Sequence, residues 1–341
     1  MLVAHDVPLA PRTTLGVGGP ARRLVRVTTI ADLEAAVVLA GDTDDRILIL
    51  GAGSNLVVGD AGWPGLVIEM AIPGVTVDRQ PDHADVTAGA GVIWDDFAAQ
   101  MVEAGFAGVE CLGGIPGLVG ATPMQNVGAY GQEVADTITC VRAYDRETRA
   151  IVELAPAACQ FAYRTSVFKG SERWIIVEVA FRFARSAISV TLRYPELVKA
   201  LGTDRAPLGV VRDTVIALRR GKGMVVDPAD PDSRSAGSFF TNPIVDAAQL
   251  AALEARLPDV AFPRFPAADG KTKLAAAWLI ERAGFAKGTT VGRVGISTKH
   301  ALALVNRGGA TATELVAFAR SIQRAVHDQL GIDLEPEPVM V

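Results

Sequence analysis

Two glycine-rich runs carry the chemistry that residue type and spacing alone suggest. In the first, Ile47-Leu-Ile-Leu-Gly51-Ala52-Gly53-Ser54-Asn55, a buried-strand pattern runs into a turn whose backbone N–H groups no large side chain obstructs. Such a turn cradles an anion such as a pyrophosphate, although a plain tight turn would be spelled the same way. It is not a Rossmann fingerprint, because Leu56 stands where the third glycine belongs and Trp63 and Pro64 would soon interrupt a helix. The second run, Gly113 to Gly131, is too rich in Gly and too full of Pro and Asn for regular structure, and it holds no charged residue. A long uncharged loop inside a domain is usually functional. Other reactive types do not cluster. Cys111, Cys140 and Cys159 are odd in number and lack C-x-x-C spacing, and His5, His83, His300 and His327 are scattered singly. Neither a disulfide framework, a metal site nor a Ser-His-Asp arrangement is indicated.

Mixed α and β elements must position the two loops. Short β-type runs are expected at Arg46 to Leu50, Leu66 to Glu69, Ala84 to Ala88, Ile138 to Tyr144 and Trp174 to Phe183. In the last of these, Val177, Val179, Phe181 and Phe183 alternate with Glu178, Ala180 and Arg182, so one face should be buried. Helices are expected from Ile30 to Ala40, capped by Thr28 or Thr29, and from Ile93 to Gly105 with Phe97 and Met101 one turn apart. Further helices are expected at Asp213 to Arg220, Leu274 to Ala283 and Thr313 to Leu330, with a strand at Ala301 to Asn306.

The chain has 341 residues, 50% of them hydrophobic, enough for about two or three domains with substantial cores. Its 33 basic and 38 acidic residues give a formal charge of -5, spread along the chain, which argues against a nucleic-acid partner. The start lacks a secretory pattern and no apolar run reaches membrane-helix length, so a cytoplasmic protein is expected.

Together the two loops are similar to the FAD loops of the UDP-N-acetylenolpyruvoylglucosamine reductases, which share the flavin-binding fold of the vanillyl-alcohol oxidase and p-cresol methylhydroxylase group. Tyr163-Arg164-Thr165-Ser166-Val167-Phe168-Lys169, Ser235-Ala-Gly-Ser238-Phe-Phe-Thr241-Asn242-Pro243 and Leu334-Glu335-Pro336-Glu337 resemble further signatures of that family, in order, so the resemblance covers nearly the whole chain. Two departures stand out. Thr165 occupies a position where the family usually has Asp, and Pro338-Val-Met-Val341 replaces the usual Val-Arg and short apolar tail.

The resemblance implies an α+β protein: an FAD-binding domain of two α/β subdomains over residues 1–205, and a substrate-binding domain over 206–341 whose last residues return to the active site. It implies noncovalent FAD held by Gly51, Ala52, Gly53, Ser54, Asn55 and Leu56 of the first loop. From the second loop it implies contacts by Ile115, Gly120, Ala121, Thr122, Gln125, Asn126, Gly128, Ala129 and Tyr130. The implied reaction reduces the enolpyruvyl ether of UDP-N-acetylglucosamine to UDP-N-acetylmuramate with NADPH, in peptidoglycan precursor synthesis, by a monomer. Hydride passes from flavin N5 to the vinyl methylene carbon. Arg164 would stabilise the resulting enolate through its carboxylate, Glu337 would assist near the same end, and Ser238 would protonate the neighbouring carbon. Lys222, Tyr163, Asn242 and Tyr194 would bind substrate, Tyr194 marking the longer-loop subclass. Outside that resemblance, Ser238 reads as a turn or cap hydroxyl, Lys222 as a solvated charge after a helix and Asn242 as a pre-proline turn residue. Two rivals are an oxidase with covalent FAD, for which neither loop offers a histidine anchor, and a nonenzymatic nucleotide-binding protein.

Overall fold

Alternation places Val179, Phe181 and Phe183 on one buried face of the long strand Trp174–Arg185, while a β-bulge opposite Arg142 and Ala143 sends buried Val177, expected on that face, into a different core cluster with Ile175. In the computed structural model, which describes residues 1–341, this strand is the spine of the first of two compact units, made of Met1–Val7, Ala21–Ala52 and Pro64–Gly221. The second unit comprises Pro8–Pro20, Gly53–Trp63 and Lys222–Val341.

Two sheets build the first unit. One has the order Val3–Pro8, Pro20–Val27, Trp63–Met70, Ile47–Leu50, the last two strands running parallel. Helix Ile30–Asp42 covers it, burying Leu33, Ala36 and Ala40 beside Val25, Val27, Leu66 and Ile68. Thr29 and Asp32 begin this helix with a reciprocal capping box. The other sheet is antiparallel, ordered Ala150–Leu154, Ile138–Asp145, Trp174–Arg185, His83–Gly89, Val75–Arg79, with Phe106–Ala107 paired to the far end of the long strand. Helix Trp94–Glu103 lays Trp94, Phe97 and Met101 into its core, where the Phe97 ring lies 5.1 Å from Phe181. Gly105, at φ 75°, stops the chain from continuing as helix.

The second unit gathers two three-stranded antiparallel sheets and helices Ala247–Arg256, Ala276–Arg282 and Ala312–Leu330 around one core. Leu15, Val17 and Val57, from the two early segments, belong to that core. Buried Asn306 ties in the first of them: its amide donates to the carbonyls of Leu15 at 2.9 Å and Gly16 at 3.3 Å, and its oxygen accepts from Gly308 and Ala310. Asp60, in the other early segment, accepts the N–H groups of Ala312 and Thr313, so it caps the longest helix from outside.

This division differs from the one expected at 205/206. Helix Leu208–Gly221 starts before the expected Asp213 and lies with the first unit, because Val211 and Val215 are buried with Cys111, Leu192, Leu197 and Ala206. The two early segments join the second unit through contacts that no local pattern announces. No helix is long and apolar enough to cross a membrane.

Candidate active site

A short 3-10 turn, Glu110–Leu112, leads into the second glycine-rich run, and two more, Val119–Ala121 and Pro123–Gln125, shape it in place of an extended loop. Backbone bonds dock the run on the helix start and the sheet: Trp94 N–H to Gly117 O at 3.0 Å, Val119 N–H to Val92 O at 2.8 Å and Gly120 N–H to Ala90 O at 3.1 Å. A Cβ on Gly120 would lie 2.5 Å from that of Ala90, which is why glycine is required there. The hydroxyl of Thr122 donates to Val119 O at 2.9 Å, holding the turn. At the opening of the run, Asp95 accepts Gly114 N–H at 2.7 Å and Arg212 Nη2 at 2.8 Å. Neither anchor was read from the sequence, and with 117 positions between Asp95 and Arg212 no local spacing could have shown the pair.

The first glycine-rich turn divides between the units: Gly51 and Ala52 belong to the first, Gly53, Ser54, Asn55 and Leu56 to the second. Gly51 faces Leu118 of the other run, 3.6 Å from where its Cβ would be. Gly53 has φ 61°, and a Cβ there would meet Arg12 O at 2.1 Å, so only glycine fits. Ala52 and Ala121 are exposed and Ile115, Gly128 and Ala129 half-buried, and no residue of either glycine-rich stretch carries a charge. Backbone amides, small side chains and the absence of charge suit a large neutral ring attached to a pyrophosphate.

Arg164 sits at φ 54° in a tight turn closed by mutual backbone bonds between Ala162 and Thr165. Its guanidinium donates from Nη2 to Gly128 O at 2.6 Å and from Nη1 to Asn126 O at 3.5 Å, and it lies 5.4 Å from the Tyr163 ring centroid. Ser166 Oγ donates to Met124 O at 2.7 Å, a second stitch between this turn and the glycine-rich run. The Asp-to-Thr departure falls on an exposed side chain. Asn126 and Tyr130 also have positive φ, 46° and 50°. Such backbones cost roughly 1 kcal/mol or more each and persist where the surroundings fix them, which happens most often at functional sites.

Tyr130 meets Tyr194 edge-on, with centroids 5.2 Å apart. Burial, with Glu196 nearby, raises the Tyr194 phenol above its ordinary pKa. Arg219, buried on the helix Leu208–Gly221, is pulled down to about 10 by desolvation, against the opposing pull of Tyr130 and Asp95. Desolvation also pushes Cys111 up to about 12, which leaves its thiol inert.

In the second unit, Phe239 and Phe240 are buried beside each other, 5.2 Å between centroids, and hold half-buried Ser238 at the edge of the core. The segment carrying Glu337 runs alongside. Glu337 N–H donates to Phe239 O at 2.9 Å, Phe240 bridges to Pro336, and Thr241 N–H donates to Glu335 O at 3.0 Å. Ser238 and Glu337 are therefore brought close by backbone pairing. Past Glu337 the chain turns to the first loop, where Val339–Met340 pairs in parallel with Leu56–Val57 and Asn55 Nδ2 donates to Glu337 O at 3.3 Å. The departing tail residues thus form an ordinary strand. Lys222 is half-buried directly after its helix, and Asn242 accepts Ala276 N–H at 2.9 Å, at the start of helix Ala276–Arg282.

The glycine-rich surface and the mixed fold define a flavoprotein. Residues 21–153 match the family described as FAD binding domain, and residues 228–341 match the UDP-N-acetylenolpyruvoylglucosamine reductase C-terminal domain. The protein is an FAD-dependent oxidoreductase. More particularly, the chain belongs to the UDP-N-acetylenolpyruvoylglucosamine reductase family. It is 50% identical over 347 aligned residues to that reductase from Thermobifida fusca, covering 99% of this chain and 98% of the relative. It is 46% identical to the one from Mycobacterium tuberculosis, covering 99% and 95%. The crystal structure of the Thermus caldophilus reductase is similar over 100% of this chain and 99% of that one, with TM-score 0.68 and 26% identity.

Proposed function

We propose that the chain reduces UDP-N-acetyl-3-O-(1-carboxyvinyl)-glucosamine to UDP-N-acetylmuramate with NADPH, in the cytoplasm, for peptidoglycan precursor synthesis. The observation that supports this reading is the placement of Arg164, a cation fastened by its own guanidinium to the backbone of the second glycine-rich run at Gly128. FAD, when bound by the two glycine-rich runs, supplies the hydride that NADPH provides to the vinyl methylene carbon.

The remaining work falls to side chains. Hydride addition leaves negative charge on the adjacent carbon and, by conjugation, on the carboxylate. Arg164 binds that carboxylate with its planar fork and takes up the growing charge. Ser238 gives its hydroxyl proton to the carbanionic carbon. A serine is a weak acid in water, but transfer to an enolate in a closed site runs downhill once the hydroxyl is within hydrogen-bond reach. Glu337 assists at the carboxyl end, and the backbone pairing of its segment beside Phe239 supports a joint role with Ser238. Lys222 neutralises the diphosphate, while Tyr163, Tyr194 and Asn242 hold the rest of the substrate. Gly51 through Leu56, together with the second-run residues from Ile115 to Tyr130, hold FAD.

The test is direct. Purified protein is mixed with NADPH, and loss of nicotinamide absorbance is followed with and without the UDP-enolpyruvyl sugar. Oxidation that depends on the sugar is expected, and oxidation indifferent to it would refute the assignment.

A further inference from the structure

Glu133 lies outside both glycine-rich runs, yet both backbone carbonyls that the Arg164 guanidinium grips, those of Asn126 and Gly128, belong to residues that Glu133 contacts. It pairs with Gly128 across the two short strands Gly128–Ala129 and Gln132–Glu133. Its carboxylate accepts Asn126 Nδ2 at 2.6 Å, a short charge-assisted bond. A carboxylate can only accept, so this bond decides which way the Asn126 amide faces. The same Nδ2 also donates to Ala162 O at 3.3 Å, and Oδ1 accepts Ala135 N–H at 3.1 Å. Asn126 is 1% exposed, and these contacts hold its left-handed backbone. Its carbonyl is thereby aimed at Arg164 Nη1, and its amide grips the turn on which Arg164 stands. Crowding is tight on the same side: a Cβ on Gly128 would lie 2.8 Å from Glu133 Cγ and 3.2 Å from Arg164 Nη1.

We propose that Glu133 is a positioning residue for the reaction, acting through Asn126 to hold the Arg164 guanidinium against the flavin run. The inference rests on the role given to Arg164 above. Glu133 also caps the short turn Val134–Asp136, accepting Asp136 N–H. Glu133→Gln keeps an oxygen for that cap while replacing the other acceptor, on which Asn126 depends, with a donor.

Stopped flow on the flavin-loaded protein separates the possibilities. Glu133→Gln should bind FAD and be reduced by NADPH as the native protein is. Reoxidation by the enolpyruvyl sugar should slow about 10- to 100-fold, the scale expected when a charged group is displaced by a fraction of its length. In an Arg164→Lys background the same change should add almost nothing, since the group it positions is gone. Native reoxidation by Glu133→Gln overturns the proposal, as does an undiminished effect in the Arg164→Lys background. Loss of flavin from Glu133→Gln also overturns it, because the carboxylate would then be a prop of the cofactor run. Normal reoxidation by Arg164→Lys alone removes the role of Arg164 and this proposal with it, a result distinct from the other three.

Discussion

Ser238 acts, in the proposed mechanism, only after the hydride has reached the substrate. Ser238→Ala should therefore bind FAD and be reduced by NADPH at close to the native rate. Reoxidation by the enolpyruvyl sugar should fall by at least ~10²-fold, the loss expected for a placed acid. Ser238→Cys, with a stronger acid of similar shape, should recover part of that. Rapid-mixing absorbance of the flavin measures both halves, and reoxidation within a few-fold of native would shift the proton to Glu337. The residues proposed for catalysis are candidates from the sequence because each sits in a spelled motif: Arg164 after Tyr163, Ser238 before Phe239-Phe240, Glu337 after Pro336. Glu133 is not, since residues 126–133 form no continuous helix or strand and the link passes through a left-handed backbone.

Elements depend on how closely backbones approach, and glycine tests that. Gly53→Val would drive a side chain into the Arg12 carbonyl, and Gly128→Val into Glu133 and Arg164. Both should yield colourless protein with a lowered melting temperature, because a cofactor present at ~100 times its Kd adds about 2.7 kcal/mol to the native state. Absorbance of the purified proteins in the flavin band and thermal melts check this. A second element-level prediction concerns acid. At the end of strand Ile138–Asp145, Arg173 donates to both oxygens of Asp145, at 2.9 and 2.7 Å, and holds its carboxyl at about 2. A carboxyl depressed in the folded state contributes stability above its unfolded pKa of about 4 that is lost as pH falls toward 2. Asp145→Asn should therefore be less stable at neutral pH and show a shallower fall between pH 4 and 2, read from denaturation midpoints across that range. The long strand from Val179 to Phe183 and the helices Ile30–Asp42 and Trp94–Glu103 were readable because apolar residues recur there at periods of 2 and 3.6, whereas the bulge at Val177 was not. The start of Leu208–Gly221 was not, since its first turn is marked by the burial of Leu208 and Val211, which tertiary packing decides.

At the scale of the molecule, the proposed reaction has one bound flavin serve NADPH and the sugar in turn, so it should run in two half-reactions with ping-pong kinetics. Parallel lines in double-reciprocal initial-rate plots, with inhibition at high sugar concentration, are expected. Intersecting lines that persist at low substrate would contradict a shared flavin face. What the sequence concealed at this scale is the membership of the early segments, for Leu15, Val17 and Val57 look locally like any turn or strand residues.

The membership of those segments bears on how the protein is made. Segments Pro8–Pro20 and Gly53–Trp63 leave the ribosome before the whole of Pro64–Gly221 and before the polypeptide whose core they complete. At translation speeds of roughly 5–20 residues per second, they wait on the order of ten seconds or more with their apolar side chains unpartnered. A gene fragment encoding Lys222–Val341 alone should accordingly give an aggregation-prone product that lacks cooperative unfolding. Supplying peptides of the two early segments in trans should restore some of it, a result that heteronuclear NMR dispersion of the labelled fragment would show.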